Sequence, residues 1–358
     1  MDAASFIKSV HAGLRQKWHE GHEDFDNIWQ EHCNQSDTLQ KYAAAMHHLA
    51  VDNWQRLGEP QEENRIFWCK NVIMEYYFNG ILQKILTKQA RRLFYLENGQ
   101  NIQSSMMNAF VSKEVANQVA IIQRSFINCD KVKLLDVGSC YNPFAEFSQS
   151  FVTTAIDLCP ADKSVIQCDF LNVAINEAEL SEQTNDGVTC AEWLKSNQLQ
   201  ARYFHVVIFC LLLSYFPSPV QRWKCCIHAH RLLMQNGLLL IITPDSSHQN
   251  RNSKMVKSWK TAIESIGFTR WKYVKLDHLH CMAFRKSCDV TKNDKDKFAS
   301  SMYIPQDFND LTVHNNTICN DANAVSCSDD TKVLARCISL LLKGTVLYHN
   351  PKNEQSYI

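Results

Sequence analysis

Apolar residues recur at helical spacing through residues 1–125, and no run there alternates as a strand would. The pattern predicts helices over 3–33, 37–57 and 62–97, with a fourth over 102–127. Ser36-Asp37 suits a helix start, and Gly58-Glu59-Pro60 suits a stop followed by a restart. The stretch from Ile66 to Leu86 is apolar on nearly every side, which predicts a buried helix.

From Lys131 the texture changes. Short apolar runs stand at 133–138, 152–158, 164–170, 204–213 and 237–243, and candidate helices lie between them at 143–150, 189–199 and 219–235. Strands alternating with helices predict a parallel sheet covered on both faces. A helix at 252–266 leads to runs at 271–277 and 280–286, close enough for an antiparallel hairpin. The expectation is an α/β fold: a doubly wound, Rossmann-like sheet over 128–288 with an antiparallel terminal hairpin, preceded by an α-helical domain over 1–127. Residues 289–358 are rich in Asn, Asp, Ser, Thr and Lys as far as about 330 and read as a mobile tail. Within it, Val333 to Leu347 is apolar, and Asn315-Asn316-Thr317 matches a glycosylation sequon.

Composition narrows the function. The 37 basic and 37 acidic residues cancel, which argues against a chain that grips nucleic acid by its backbone. The N-terminus lacks the apolar core of a secretory signal. The longest apolar stretch, Phe204 to Phe216, is too short for a bilayer, which needs about 20 residues. A soluble, cytoplasmic protein is expected. Its 15 cysteines then read as reduced thiols. No CxxC pair exists, and strand alternation separates Cys281 from His278 and His280, so no metal site is expected.

The candidate chemistry lies at successive strand ends. Leu135-Asp136-Val137-Gly138-Ser139 closes a strand, and Asn142-Pro143 opens a helix. The first such turn of a doubly wound sheet lies where ligands bind. Gly138 lets backbone come close to a ligand, with Ser139 beside it. Asp157, followed by Leu158, ends the next strand and suits the two hydroxyls of a ribose. Asp169-Phe170 ends the third: a carboxylate for the exocyclic amine of an adenine, and a ring to pack on it. The fourth runs into Ser214-Tyr215-Phe216-Pro217 on the same edge.

This ordered set resembles the class I S-adenosylmethionine-dependent methyltransferase domain over about 130–286. It departs from the family's glycine-rich turn, because Cys140 and Asn142 stand at the later glycine positions. The longer strings 134–144, 211–219 and 239–250 are similar to the S-adenosylmethionine sensors of the TOR growth-signalling pathway, and to related ribosomal-RNA adenine methyltransferases. The resemblance implies S-adenosylmethionine as ligand, S-adenosylhomocysteine as a second ligand, and binding positions at Gly138 and Asp157. It also implies association with the GATOR and KICSTOR complexes when ligand-free, inhibition of TOR signalling, release on ligand binding, and recruitment to the lysosomal surface through those partners. An adenine methyltransferase would carry an Asn/Asp-Pro-Pro-aromatic turn where this chain has Ser214-Tyr215-Phe216-Pro217, so no catalytic residue is assigned. Methyl transfer to ribosomal RNA is the alternative reading. Arg65 and Glu75 are charged residues in the apolar helix. If that helix caps the pocket, Arg65 suits the methionine carboxylate and Glu75 its amino or sulfonium group; otherwise the two read as an internal ion pair or a solvated edge.

Overall fold

A computed structural model describes residues 2–20, 25–56, 64–99, 104–126, 131–178, 190–245, 249–288 and 297–308. The elements are α1 (Ala3–Glu20), α2 (Phe25–Cys33), α3 (Ser36–Arg56), α4 (Arg65–Tyr77), α5 (Ile81–Asn98), α6 (Ser104–Arg124), β1 (Val132–Val137), β2 (Phe151–Asp157), β3 (Ile166–Gln167), β4 (Ala174–Asn176), α7 (Cys190–Lys195), β5 (Gln198–Gln200), β6 (Phe204–Cys210), α8 (Pro219–Leu232), β7 (Leu233–Pro244), α9 (Gln249–Ser265), β8 (Phe268–Leu276) and β9 (Leu279–Lys286). Among the described residues, short 3-10 turns stand at Pro143–Phe147, between β1 and β2, and at Ala299–Met302 and Pro305–Phe308, after β9.

Seven strands form one sheet in the order β3-β2-β1-β6-β7-β9-β8. All pairs are parallel except those made by β9, which runs antiparallel to both β7 and β8. The expected sheet and terminal hairpin are therefore present. β4 and β5 make a separate parallel pair, which the sequence pattern did not single out.

The continuous apolar runs have a simple cause: both faces of the sheet are covered, so both phases of the alternation are buried. Leu134, Val206, Ile208, Leu240, Ile242 and Cys281 face α4, α5 and α6. Leu135, Val207, Phe209, Leu239, Ile241 and Met282 face α8 and α9. The boundary expected at 127/128 falls outside the described residues, and α4–α6 before it share one core with the sheet.

One helix expected at 62–97 is two. Gly80 adopts a left-handed φ of 83°, and the amide of Phe78 closes α4 on the Met74 carbonyl. The positive φ, tolerated readily by glycine, turns the chain between the helices.

The reading of 289–358 as a mobile tail needs correction over 297–308. Those residues pack on α8 and α9. Met302 and Ile304 enter the core, and the buried Arg222 guanidinium binds Asp307 in a fork at 2.7 and 2.8 Å. The guanidinium also donates to the carbonyls of Phe216, Pro217 and Met302. The apolar run 333–347 and the sequon lie outside the described residues. Among the described residues, no helix is long and apolar enough to cross a membrane.

Candidate ligand site

The chain proceeds from β1 to β2 and β3 on one side, then places β6 on the other side of β1. In sheets of this kind, ligands bind beyond the carboxyl ends of the strands at that reversal. A cleft of about 790 Å³, counted to its open mouth, lies there. Its floor is Val137 of β1 with Gly138 after it, Ile156 and Asp157 of β2 with Leu158 and Cys159 after it, Cys168 to Phe170 after β3, and Cys210 of β6 with Leu211 and Leu212 after it. Its roof comes from the N-terminal helices: Trp29 on α2, with Leu39, Tyr42, Ala43 and Met46 on α3.

Asp157 is the best-placed polar group. Its Oδ2 accepts the Cys140 amide at 3.1 Å, and its Oδ1 accepts the Cys159 amide at 2.9 Å. A carboxylate oxygen has about two acceptor sites. Each oxygen therefore keeps one open, and two ribose hydroxyls need two. Burial raises the carboxyl's pKa, and the two amides work against that shift.

The turn after β1 explains the departures from the glycine pattern. Gly138, Cys140 and Asn142 all have left-handed φ, at 74°, 57° and 56°. The backbone conformation that favours glycine is therefore kept with other residues in place. A non-glycine residue in that region costs about 1–2 kcal/mol, and the surrounding bonds must hold it there. The Cys140 amide on Asp157 is one such bond, and the Cys140 carbonyl accepting the Ala161 amide is another. Gly138 is also tight: a Cβ would lie 2.8 Å from Leu212 Cδ1.

A second, adjoining space of about 430 Å³ extends the cleft past Gly138 and Cys140. Arg65, Asp136, Ser139 and Tyr141 line it. Asn64 accepts the amides of Ile66 and Phe67, so α4 begins at this space with Arg65 as its first residue. Burial disfavours the guanidinium charge, but the neighbouring Cys210 and Tyr141 outweigh it and raise the pKa. Asp136 Oδ2 is buried with no hydrogen bond among the described residues. Burial, with Asp157 nearby, pushes the Asp136 carboxyl up to about 7, against the pull of Ser139 and Arg65. A cationic group entering this space would meet Asp136, and an anionic one would meet Arg65.

Most of the expected residues meet here. Gly138, Asp157, Leu158, Asp169 and Phe170 line the first space, and Gly138, Ser139 and Arg65 the second. Two do not. Glu75 pairs with Lys272 on β8, away from the cleft. α4 lies along the sheet with Cys69, Val72, Ile73 and Tyr76 in its core, so only its first turn reaches the site and the helix does not cap it. The hydroxyl of Ser214 turns back to the Leu211 carbonyl at 3.0 Å and does not line the cleft. Leu211 has a left-handed φ of 64°. The chain turns there, and Tyr215 and Phe216 enter the cleft instead.

Sequence reasoning missed the roof. Trp29, Tyr42 and Tyr215 belong to an aromatic cluster with His11 and His32. His11 Nε2 bonds the Tyr42 hydroxyl at 2.8 Å, and His32 Nε2 bonds that of Tyr215. Burial first, aided by nearby cations, lowers His11 to about 3 and His32 to about 4, so both rings are neutral at pH 7. Aromatic residues at helical spacing read equally well as core, and helical periodicity gives no sign of which strand edge they will cover.

No protein-family model matches the chain. Among solved structures, the N-methyltransferase NodS from Bradyrhizobium japonicum in complex with S-adenosyl-L-homocysteine is 14% identical, covers 48% of this chain and 87% of that one, and superposes with a TM-score of 0.31. Two proteins named S-adenosylmethionine sensor upstream of mTORC1 are far nearer in sequence. The Danio rerio protein is 45% identical over 307 residues, spanning 85% of this chain and 75% of its own length. That of Xenopus laevis is 46% identical over 308 residues, spanning 85% and 74%. The chain belongs to this family of S-adenosylmethionine sensors upstream of mTORC1.

Proposed function

We propose that this chain binds S-adenosylmethionine across the two adjoining spaces and acts as a ligand-controlled inhibitor of TOR signalling. One observation carries the ligand assignment: at the end of β2, Asp157 presents one open acceptor site on each carboxylate oxygen toward the cleft. The adenosine would lie in the larger space, with Leu158 and Phe170 against the base. The methionine end would lie in the smaller one. Its carboxylate suits Arg65 at the start of α4, and its ammonium suits Asp136. The ligand's net positive charge favours ionisation of Asp136 and thus strengthens the pairing. S-adenosylhomocysteine would fit the same spaces without the sulfonium charge.

In the ligand-free state the chain would associate with the GATOR and KICSTOR complexes and restrain TOR complex 1, and ligand would release it. The N-terminal helices both roof the cleft and present outer surface. A ligand changes an equilibrium between bound and released forms only through a difference in affinity for the two. Contacts shared between roof and ligand supply such a difference. Calorimetric titration with S-adenosylmethionine, followed by co-precipitation of GATOR and KICSTOR subunits with and without ligand, tests both halves. Saturable binding and loss of partners on ligand addition are expected. Absence of binding would remove the ligand assignment, and partner association indifferent to ligand would remove the switch.

A further inference from the structure

Asp169 lines the cleft, yet most of its acceptor capacity is already in use. A carboxylate offers about four acceptor sites. Oδ1 accepts the Leu171 amide at 3.0 Å. Oδ2 accepts the Asn172 side-chain amide at 2.8 Å and the Trp29 indole N–H at 3.0 Å. The Cys33 thiol approaches the same oxygen at 3.9 Å. Trp29 and Cys33 both belong to α2, 140 and 136 residues upstream. One acceptor site is left, on Oδ1. The torsion that turns a carboxylate is soft, so an unheld Asp aims its oxygens poorly. Here Oδ2 is held from one side by the chain after β3 and from the other by α2.

On the reading that the cleft takes the adenine of S-adenosylmethionine, on which this inference rests, we infer that Trp29 is a positioning residue for base selection. Its indole N–H holds Asp169 so that the one open acceptor site faces the exocyclic amine of the base. Discrimination between a 6-amino and a 6-oxo purine then depends on α2 being docked. An amino group at that place donates to the open site, whereas an oxo group sets lone pair against lone pair. Trp29 also packs on Phe216, with ring centroids 5.2 Å apart, and is buried. Packing alone would survive any ring of the same shape without the N–H.

The experiment compares S-adenosylmethionine with S-inosylmethionine, its 6-oxo counterpart, by calorimetry on the full chain. The wild-type protein is expected to prefer the adenosyl ligand by about 10- to 100-fold, the effect of one hydrogen bond to a charged group. Replacing Trp29 with benzothienylalanine keeps the ring and exchanges N–H for sulfur. The preference is expected to fall below about 3-fold, mainly through weaker binding of the adenosyl ligand, because the open site is no longer aimed. Trp29→Phe should show the same loss of preference, with a further loss common to both ligands. An unchanged preference in the benzothienyl variant would overturn the inference, and so would an equal loss for both ligands. Wild-type protein that binds both equally would overturn it while leaving the ligand assignment intact. Wild-type protein that binds neither would overturn both.

Discussion

The amide of Cys140 donates to Asp157 Oδ2 at 3.1 Å, joining the turn after β1 to the end of β2. The bond does two things at once. It restrains a left-handed cysteine, and it orients the carboxylate that faces the cleft. Asp157→Ala is therefore expected to abolish measurable ligand binding while leaving a folded chain. Each charge-assisted bond lost accounts for about 1.5–3 kcal/mol. Calorimetry, with a thermal melt as control, checks it. Undiminished affinity would take Asp157 out of the site.

Arg65 and Glu75 lie ten positions apart on one helix and should behave differently. Arg65→Ala removes the cation of the smaller space and should weaken S-adenosylmethionine binding by about tenfold or more, the effect of one charged contact. Glu75→Gln breaks only a half-exposed pair with Lys272, so affinity should not change and stability should move by less than about 1 kcal/mol. Equal effects on affinity would mean that α4 lies over the ligand after all.

Stability should fall on mild acidification. His11, His32, His205 and His228 have folded-state pKa values lowered to about 3, 4, 3 and 4, chiefly by burial. The unfolded chain takes up protons at these rings near pH 6.5, and the folded one does not. Their contribution is thus present above pH 6.5 and is lost as pH falls toward 4. Asp136 runs the other way, since its raised pKa favours the folded state as pH falls from 7. Asp157, also raised by burial, acts with Asp136, while His280, also lowered by burial, acts with the four, and the histidines outweigh the two carboxyls. Urea midpoints at pH 7.5 and pH 5.5 should show the lower value at pH 5.5, and a higher midpoint there would contradict the buried neutral histidines.

Asp307→Ala should destabilise the chain by about 3 kcal/mol, because it leaves the buried Arg222 guanidinium without its counter-charge. Thermal unfolding measures this. A shift near zero would mean that 297–308 is not held on α8 and α9.

The sheet was legible because burial on both faces makes strands read as unbroken apolar runs, and the helices between them read by their period. The order of Gly138, Asp157 and Asp169 was legible too, since a parallel sheet puts successive strand ends on one edge. Both features depend only on local pattern and topology, which a linear sequence carries directly. Five of the expected residues line the larger space of the cleft and three line its extension, Gly138 among both.

Other features depended on how elements lie against one another. Whether α4 caps the cleft or lines the sheet turns on which of two apolar surfaces its side chains enter, and an all-round apolar helix suits both. The turn at Leu211 decides that Tyr215 and not Ser214 faces the ligand space, through a single left-handed residue that composition does not announce. Most of all, Trp29 reaches Asp169 across 140 residues. Local periodicity told α2 which side to bury. Only the packed tertiary structure told it which carboxylate to bury against, because that choice is made by shape and by hydrogen-bond donors meeting acceptors between elements far apart in the chain.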